Sequence, residues 1–96
     1  MRPYEILFIV HPDLDENAFN DIVNRVTSWI TEENGEITKT ELWGKKTLAY
    51  PIRKQTEGQY VLINANIPPS FCVQLERNFR YLEHVMRFMI ISLEQS

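Results

Sequence analysis

The sequence has little of what catalytic and metal-binding sites require. Its single cysteine, Cys72, cannot form an internal disulfide and lacks the companions of a zinc site. The two histidines, His11 and His84, lie far apart in the sequence and neither belongs to a ligand motif. The three glycines are isolated from one another, so no phosphate-binding loop is indicated. We therefore expect no enzyme activity, no cofactor, no metal and no small-molecule substrate.

Long apolar runs and targeting signals are also missing. No apolar run approaches the roughly 18 residues that cross a bilayer, and the first residues do not resemble a signal peptide. The low cysteine content is typical of a reducing compartment. We expect a cytoplasmic protein that has no membrane partner.

Charge is present but unevenly distributed. The net charge is −3, and the first 36 residues alone carry −6, so the remaining residues carry +3. Between Ile37 and Lys54 five bases stand against Glu41 alone. This stretch predicts a local basic face suited to phosphate contacts. The same pattern equally fits lysines that protect an edge strand from aggregation.

Hydrophobic periodicity divides the chain into strands and helices. Apolar residues spaced three and four apart predict a first helix, and Pro68-Pro69 precedes a second. A change of parity predicts a bulge near Gly44, and a turn is expected at Gln55 to Gly58. The predicted elements are strand Tyr4 to Val10, helix Asp15 to about Glu33, extended segment Glu36 to Ile52, strand Gln59 to Ile67, a helix from Pro69 or Ser70, and strand His84 to Leu93.

The order of these elements is β-α-β-β-α-β. It predicts an α+β, ferredoxin-like fold, in which two helices cover one face of a four-stranded antiparallel sheet. We expect residues 1–96 to form a single domain.

The sheet face without helices is expected to be apolar. Alternation turns Ile6, Phe8 and Val10 towards the core, with Phe88 and Ile90 of the last strand. An uncovered apolar strip favours a protein partner, although a wrong parity or a smaller open face would also explain the pattern. The predicted partner surface consists of Leu7, Ile9, Tyr60, Leu62, Met89 and Ile91.

Several segments resemble one known family. They are Met1-Arg2-Pro3-Tyr4-Glu5, Trp43-Gly44-Lys45-Lys46-Thr47-Leu48-Ala49-Tyr50-Pro51-Ile52-Arg53-Lys54 and Val85-Met86-Arg87. Together they resemble bacterial small-subunit ribosomal protein number six over nearly the whole chain, and the central block is the most specific part.

The resemblance implies a structural component of the small ribosomal subunit. It implies binding to the central domain of small-subunit ribosomal RNA together with small-subunit ribosomal protein number eighteen. The RNA contacts implied by position are Arg2, Lys54 and Arg87, followed by Lys45, Lys46 and Arg53, with Tyr4 as a further one.

Two other classes remain open from the residues alone. A homodimeric α+β barrel enzyme of the small monooxygenase type also pairs open sheet faces. In such an enzyme the basic stretch would have no function. An RNA-recognition module that stacks bases on its sheet would need a signature that Gly58 to Ile63 barely resembles.

Overall fold

The structure is a computed structural model that describes residues 1–94. One antiparallel sheet contains all four strands in the spatial order β2-β3-β1-β4. The predicted ferredoxin-like order is confirmed. The elements are β1 (Arg2–Val10), α1 (Glu16–Glu32), β2 (Glu36–Ile52), β3 (Gln55–Ile67), α2 (Phe71–Arg80) and β4 (Val85–Ser92).

Helix α1 is capped at both ends. The Asp15 carboxylate accepts a hydrogen bond of 2.8 Å from the backbone N–H of Ala18, which satisfies one free donor of the first turn. At the other end Asn34 adopts the left-handed conformation, with φ 61°, and Gly35 N–H donates to the Ile30 carbonyl. These contacts define both ends of the helix.

Helix α2 closes the core around one aromatic ring. Phe79 lies with its ring centroid 5.2 Å from that of Phe8 in β1 and 5.0 Å from that of Phe88 in β4. Trp29 of α1 meets the same ring edge-on at 6.0 Å. Both helices thus pack on the same face of the sheet through shared contacts.

The predicted alternation of β1 and β4 is confirmed on the helix side. Ile6, Phe8 and Val10 are fully buried, and Phe88 and Ile90 pack against the same core. Beyond these residues, β4 has one irregularity at its start, because Ile9 lies opposite Arg87 whereas Val10 lies opposite Val85. Met86 is the extra residue at this point.

The β2–β3 hairpin contains the predicted bulge. Leu42 pairs with Val61 and Gly44 pairs with Tyr60, so Trp43 is an extra residue in β2. Gly44 has a φ of 76°, which a residue with a Cβ rarely adopts.

The predicted turn at Gln55 to Gly58 is wrong. Ile52 pairs directly with Gln55, and the chain reverses at Arg53 and Lys54, which have φ values of 50° and 65°. Two consecutive residues with positive φ form the turn whose twist matches that of a hairpin. Gly58 instead lies inside β3. A glycine is needed at this position because any Cβ would overlap the Ile9 side chain.

The distal part of this hairpin lies over the open face of the sheet, and residues 45–58 are called the hairpin arm below. Thr47 pairs with Glu57 and Ile52 with Gln55, so four residues of β2 face Thr56 alone. This excess bends the strand and brings Leu48 into a second buried cluster with Ile9 and Met86. The arm is also attached at its tip, where Arg53 Nη1 donates to the Glu83 carbonyl at 2.7 Å.

The arm changes which predicted surface residues are accessible. Ile9 is 7% exposed because it packs under Leu48, so its expected exposure is wrong. Leu62 is also 7% exposed, since it lies in a central strand between Leu7 and Glu41. Both side chains lie beneath the surface of the open face and are not accessible to a partner.

Candidate functional site

An apolar cleft lies between the hairpin arm and the open face of the sheet. Its volume is about 200 Å³. Leu48 and Ile52 form the wall on the arm, and Leu7 and Met89 form the wall on the sheet. The cleft exists only because the arm folds back over the sheet.

An exposed apolar strip continues from this cleft along the edge strand β4. Met89 is 40% exposed and Ile91 is 39% exposed, whereas the neighbouring Leu7 and Tyr60 are half-buried. These four members of the predicted partner surface are therefore accessible. Edge strands with exposed apolar side chains favour pairing with another chain.

One cationic side chain, that of Arg87, lines the cleft, and others lie near the same end of the sheet. Arg87 donates a hydrogen bond to the Tyr50 hydroxyl, and its guanidinium lies 6.0 Å from the centroid of that ring. Lys45 and Lys46 project from the arm opposite Gln59 and Gly58. With Arg53 and Lys54 at the turn, the structure brings five of the seven predicted RNA contacts to one end of the sheet.

The other two predicted contacts, Arg2 and Tyr4, lie at the opposite end of β1. Arg2 forms an ion pair of 3.3 Å with Glu94. Tyr4 packs against the core, and a hydrogen bond with the Cys72 thiol, together with burial, raises the pKa of its phenol. Since a strand rises about 3.4 Å per residue, roughly 25 Å separates Arg2 from Arg87. The structure therefore does not join these residues to the cationic end.

The sequence prediction missed an organised row on β2. Lys39 Nζ lies 2.9 Å from the Glu41 carboxylate, which accepts a hydrogen bond of 2.8 Å from Trp43 Nε1. The ion pair with Lys39, followed by the indole hydrogen bond, lowers the pKa of Glu41, and Glu41 in turn raises the pKa of Lys39. Trp43 stacks on Tyr60, with a centroid distance of 6.1 Å and an interplanar angle of 15°. The alternating positions 39, 41 and 43 were the sequence pattern from which this row could have been predicted.

Two features that other classes of protein use are absent from residues 1–94. No helix in this range is long and apolar enough to cross a membrane. Over the same range, no group of three or more His, Cys, Asp or Glu side chains could hold a metal ion.

Comparison with known proteins decides the family. The sequence profile described as "Ribosomal protein S6" matches residues 3–92. This chain belongs to the ribosomal protein S6 family. Small ribosomal subunit protein bS6 of Caldanaerobacter subterraneus subsp. tengcongensis is 44% identical over 91 residues, which cover 95% of this chain and 96% of that protein.

A second relative and a solved structure agree with this assignment. Small ribosomal subunit protein bS6 of Clostridium acetobutylicum is 44% identical over 95 residues, covering 99% of this chain and all of that protein. The crystal structure of 30S ribosomal protein S6 from Thermotoga maritima superposes with a TM-score of 0.90 at 32% identity. That alignment covers 95% of this chain and 86% of the other. The S6 family member described here is thus a structural protein of the small ribosomal subunit, not an enzyme.

Proposed function

We propose that this chain binds the central domain of small-subunit ribosomal RNA together with small-subunit ribosomal protein number eighteen, in ribosomes of the bacterial cytoplasm. The observation that carries the proposal is the adjacency of two surfaces. The apolar cleft and strip adjoin the cationic end of the sheet, with Arg87 contributing to both. One surface suits a protein partner and the other suits phosphate groups. We further propose that residues 1–96 act as one domain.

The cationic end supports RNA contact through charge that other groups leave available. Within residues 1–94, Lys45, Lys46 and Lys54 form no ion pair with an acidic side chain. Neutralising about four phosphates gives a salt slope of roughly −3 to −4, which corresponds to modest affinity. Since the whole chain carries −3, this chain needs help to bind RNA tightly.

The accessible apolar side chains support a protein partner that provides this help. Leu7, Tyr60, Met89 and Ile91 offer apolar area that stays partly in contact with water in the isolated chain. A basic protein docked there would bury this area and extend the cationic surface. Its charge would also complement the acidic total of this chain.

Arg2 is proposed as a separate, second RNA contact. It must first exchange its ion pair with Glu94, which is exposed and therefore weak. Tyr4 is the least favourable member of the proposed set, because its side chain is packed against the core near Cys72.

A titration of the central-domain RNA tests the proposal. The fragment is titrated with this chain, with protein number eighteen, and with both, and bound RNA is measured by filter retention. We expect the pair to bind orders of magnitude more tightly than this chain alone. Equal affinity with and without the partner would contradict the proposal.

Matched cation variants locate the RNA surface. Lys54→Ala and Arg87→Ala should weaken RNA binding, whereas Arg80→Ala, an exposed cation on α2, should not. All three should leave stability within about 0.5 kcal/mol of the parent chain. A large loss of stability in the first two would make those residues structural.

A further inference from the structure

The bulge in β2 gives one aromatic side chain an unusual position. Trp43 is the extra residue between two regular pairs, and the positive φ of Gly44 allows the strand to accommodate it. Bulges change the direction of a side chain and are enriched beside functional sites. The Trp43 side chain remains 42% exposed at the edge of the sheet.

The indole ring is held in place from within the chain. Tyr60 stacks against it nearly in parallel, and Glu41 accepts its only polar hydrogen. The ion pair with Lys39 balances the charge of Glu41. The ring therefore offers aromatic surface without a free donor, which suits stacking that does not depend on base identity.

A cation lies over this ring. Lys46 Nζ is 5.8 Å from the centroid of the Trp43 ring, so a base that stacks there takes the place of this flexible side chain, and Lys45 is the neighbour of Lys46 on the same exposed strand. Neither lysine is ion-paired in the part of the chain that the structure describes. An apolar protein segment would use the ring but not these charges, whereas a nucleotide uses both.

We propose that Trp43, backed by Tyr60 and accompanied by Lys45 and Lys46, stacks an unpaired base of single-stranded RNA while the lysines contact its phosphate. The site rests on the proposed RNA-binding function and adds a residue outside the predicted set of contacts. It differs from the rest of the cationic end because it contacts a base of any identity as well as a phosphate.

Two RNA probes of equal charge separate stacking from phosphate contact. One is fluorescently labelled octa-adenylate, and the other is the same ribose-phosphate chain without bases. Octa-adenylate should bind about 5- to 150-fold more tightly by fluorescence anisotropy, the range expected for one base stacked on an aromatic ring. It should also quench tryptophan emission more in the parent chain than in Trp43→Phe, which retains only Trp29. Equal binding of the two probes, or failure of octa-adenylate to bind, overturns the proposal.

Substitutions supply the second arm of the test. Trp43→Leu should lose the preference for octa-adenylate, and Trp43→Phe should retain most of it. Tyr81→Leu is the matched control, since Tyr81 is an exposed aromatic residue elsewhere on the surface. Thermal unfolding verifies that each variant is folded.

The remaining outcomes separate this proposal from the proposed function. If Trp43→Leu weakens binding of protein number eighteen but leaves octa-adenylate affinity unchanged, Trp43 is a protein contact and the stacking site is refuted. If the parent chain and its partner bind central-domain RNA while octa-adenylate shows no preference, the stacking site fails and the proposed function stands. If central-domain RNA is not bound at all, the proposed function fails.

Discussion

Leu48→Ala should release the hairpin arm from the sheet. Leu48 is 8% exposed and contacts Ile9 and Met86 in a cluster of only three buried residues. The substitution removes three carbon atoms from this cluster, and at about 0.8 kcal/mol each the transfer loss is about 2.4 kcal/mol. The neighbouring cleft of about 200 Å³ gives water access, so little additional cavity cost is expected. The expected destabilisation is therefore about 2 kcal/mol.

Thermal unfolding monitored by circular dichroism measures this loss. For a domain of this size about 2 kcal/mol lowers the midpoint by roughly 8–16 °C. Leu42→Ala is the matched control, because Leu42 lies on the same strand but is 55% exposed, and it should change stability by less than about 0.5 kcal/mol. If both variants unfold at the midpoint of the parent chain, Leu48 does not anchor the arm and the account of the cleft is wrong.

Two further predictions concern the same hairpin. Gly58→Ala should lower the free energy of unfolding by about 1–3 kcal/mol in a urea titration, because the new Cβ would overlap Ile9. An unchanged midpoint would mean that the strands do not approach so closely. The emission of Trp43 should change with a midpoint below pH 4.5, because the pKa of Glu41 is held below that ordinary value, and Trp43→Phe provides the control. Stabilisation by the Glu41 contacts should be complete above pH 4.5 and lost as the pH falls through that lower midpoint, so a midpoint above 4.5 would contradict the geometry.

Local sequence patterns were sufficient to predict the helices and strands and the side chains that face the core from the sheet. Helix α1 followed from apolar residues spaced three and four apart, and the bulge followed from the parity change near Gly44. Each depends on residues adjacent in sequence, so periodicity and capping rules determine it.

The hairpin turn could not be predicted from the same rules. Those rules place left-handed residues at glycine or asparagine, and the nearest glycine was Gly58. In the fold Arg53 and Lys54 adopt positive φ, while Gly58 is required where the arm crosses Ile9. The close approach joins residues 49 positions apart, and no local pattern contains that information.

The candidate site was predictable as a set of side chains but not as a shape. The cations at 45, 46, 53 and 54 belong to the basic stretch read from the sequence, and the family resemblance added position 87; the fold brings all five to one end. The cleft, the burial of Ile9 and the separation of Arg2 all depend on the path of the hairpin arm. These are consequences of long-range packing.

Site-specific alkylation most directly tests whether the open face is the surface through which this protein joins the small subunit. Because Cys72 is the only cysteine, a Cys72→Ser chain accepts one new thiol at a time, at Met89→Cys on the open face or at Ser28→Cys on the exposed side of α1. Each variant is treated with a thiol reagent, both free and assembled into small ribosomal subunits. Assembly should slow alkylation strongly at position 89 and leave alkylation at position 28 nearly unchanged. Protection at position 28 with free reaction at position 89 would contradict it.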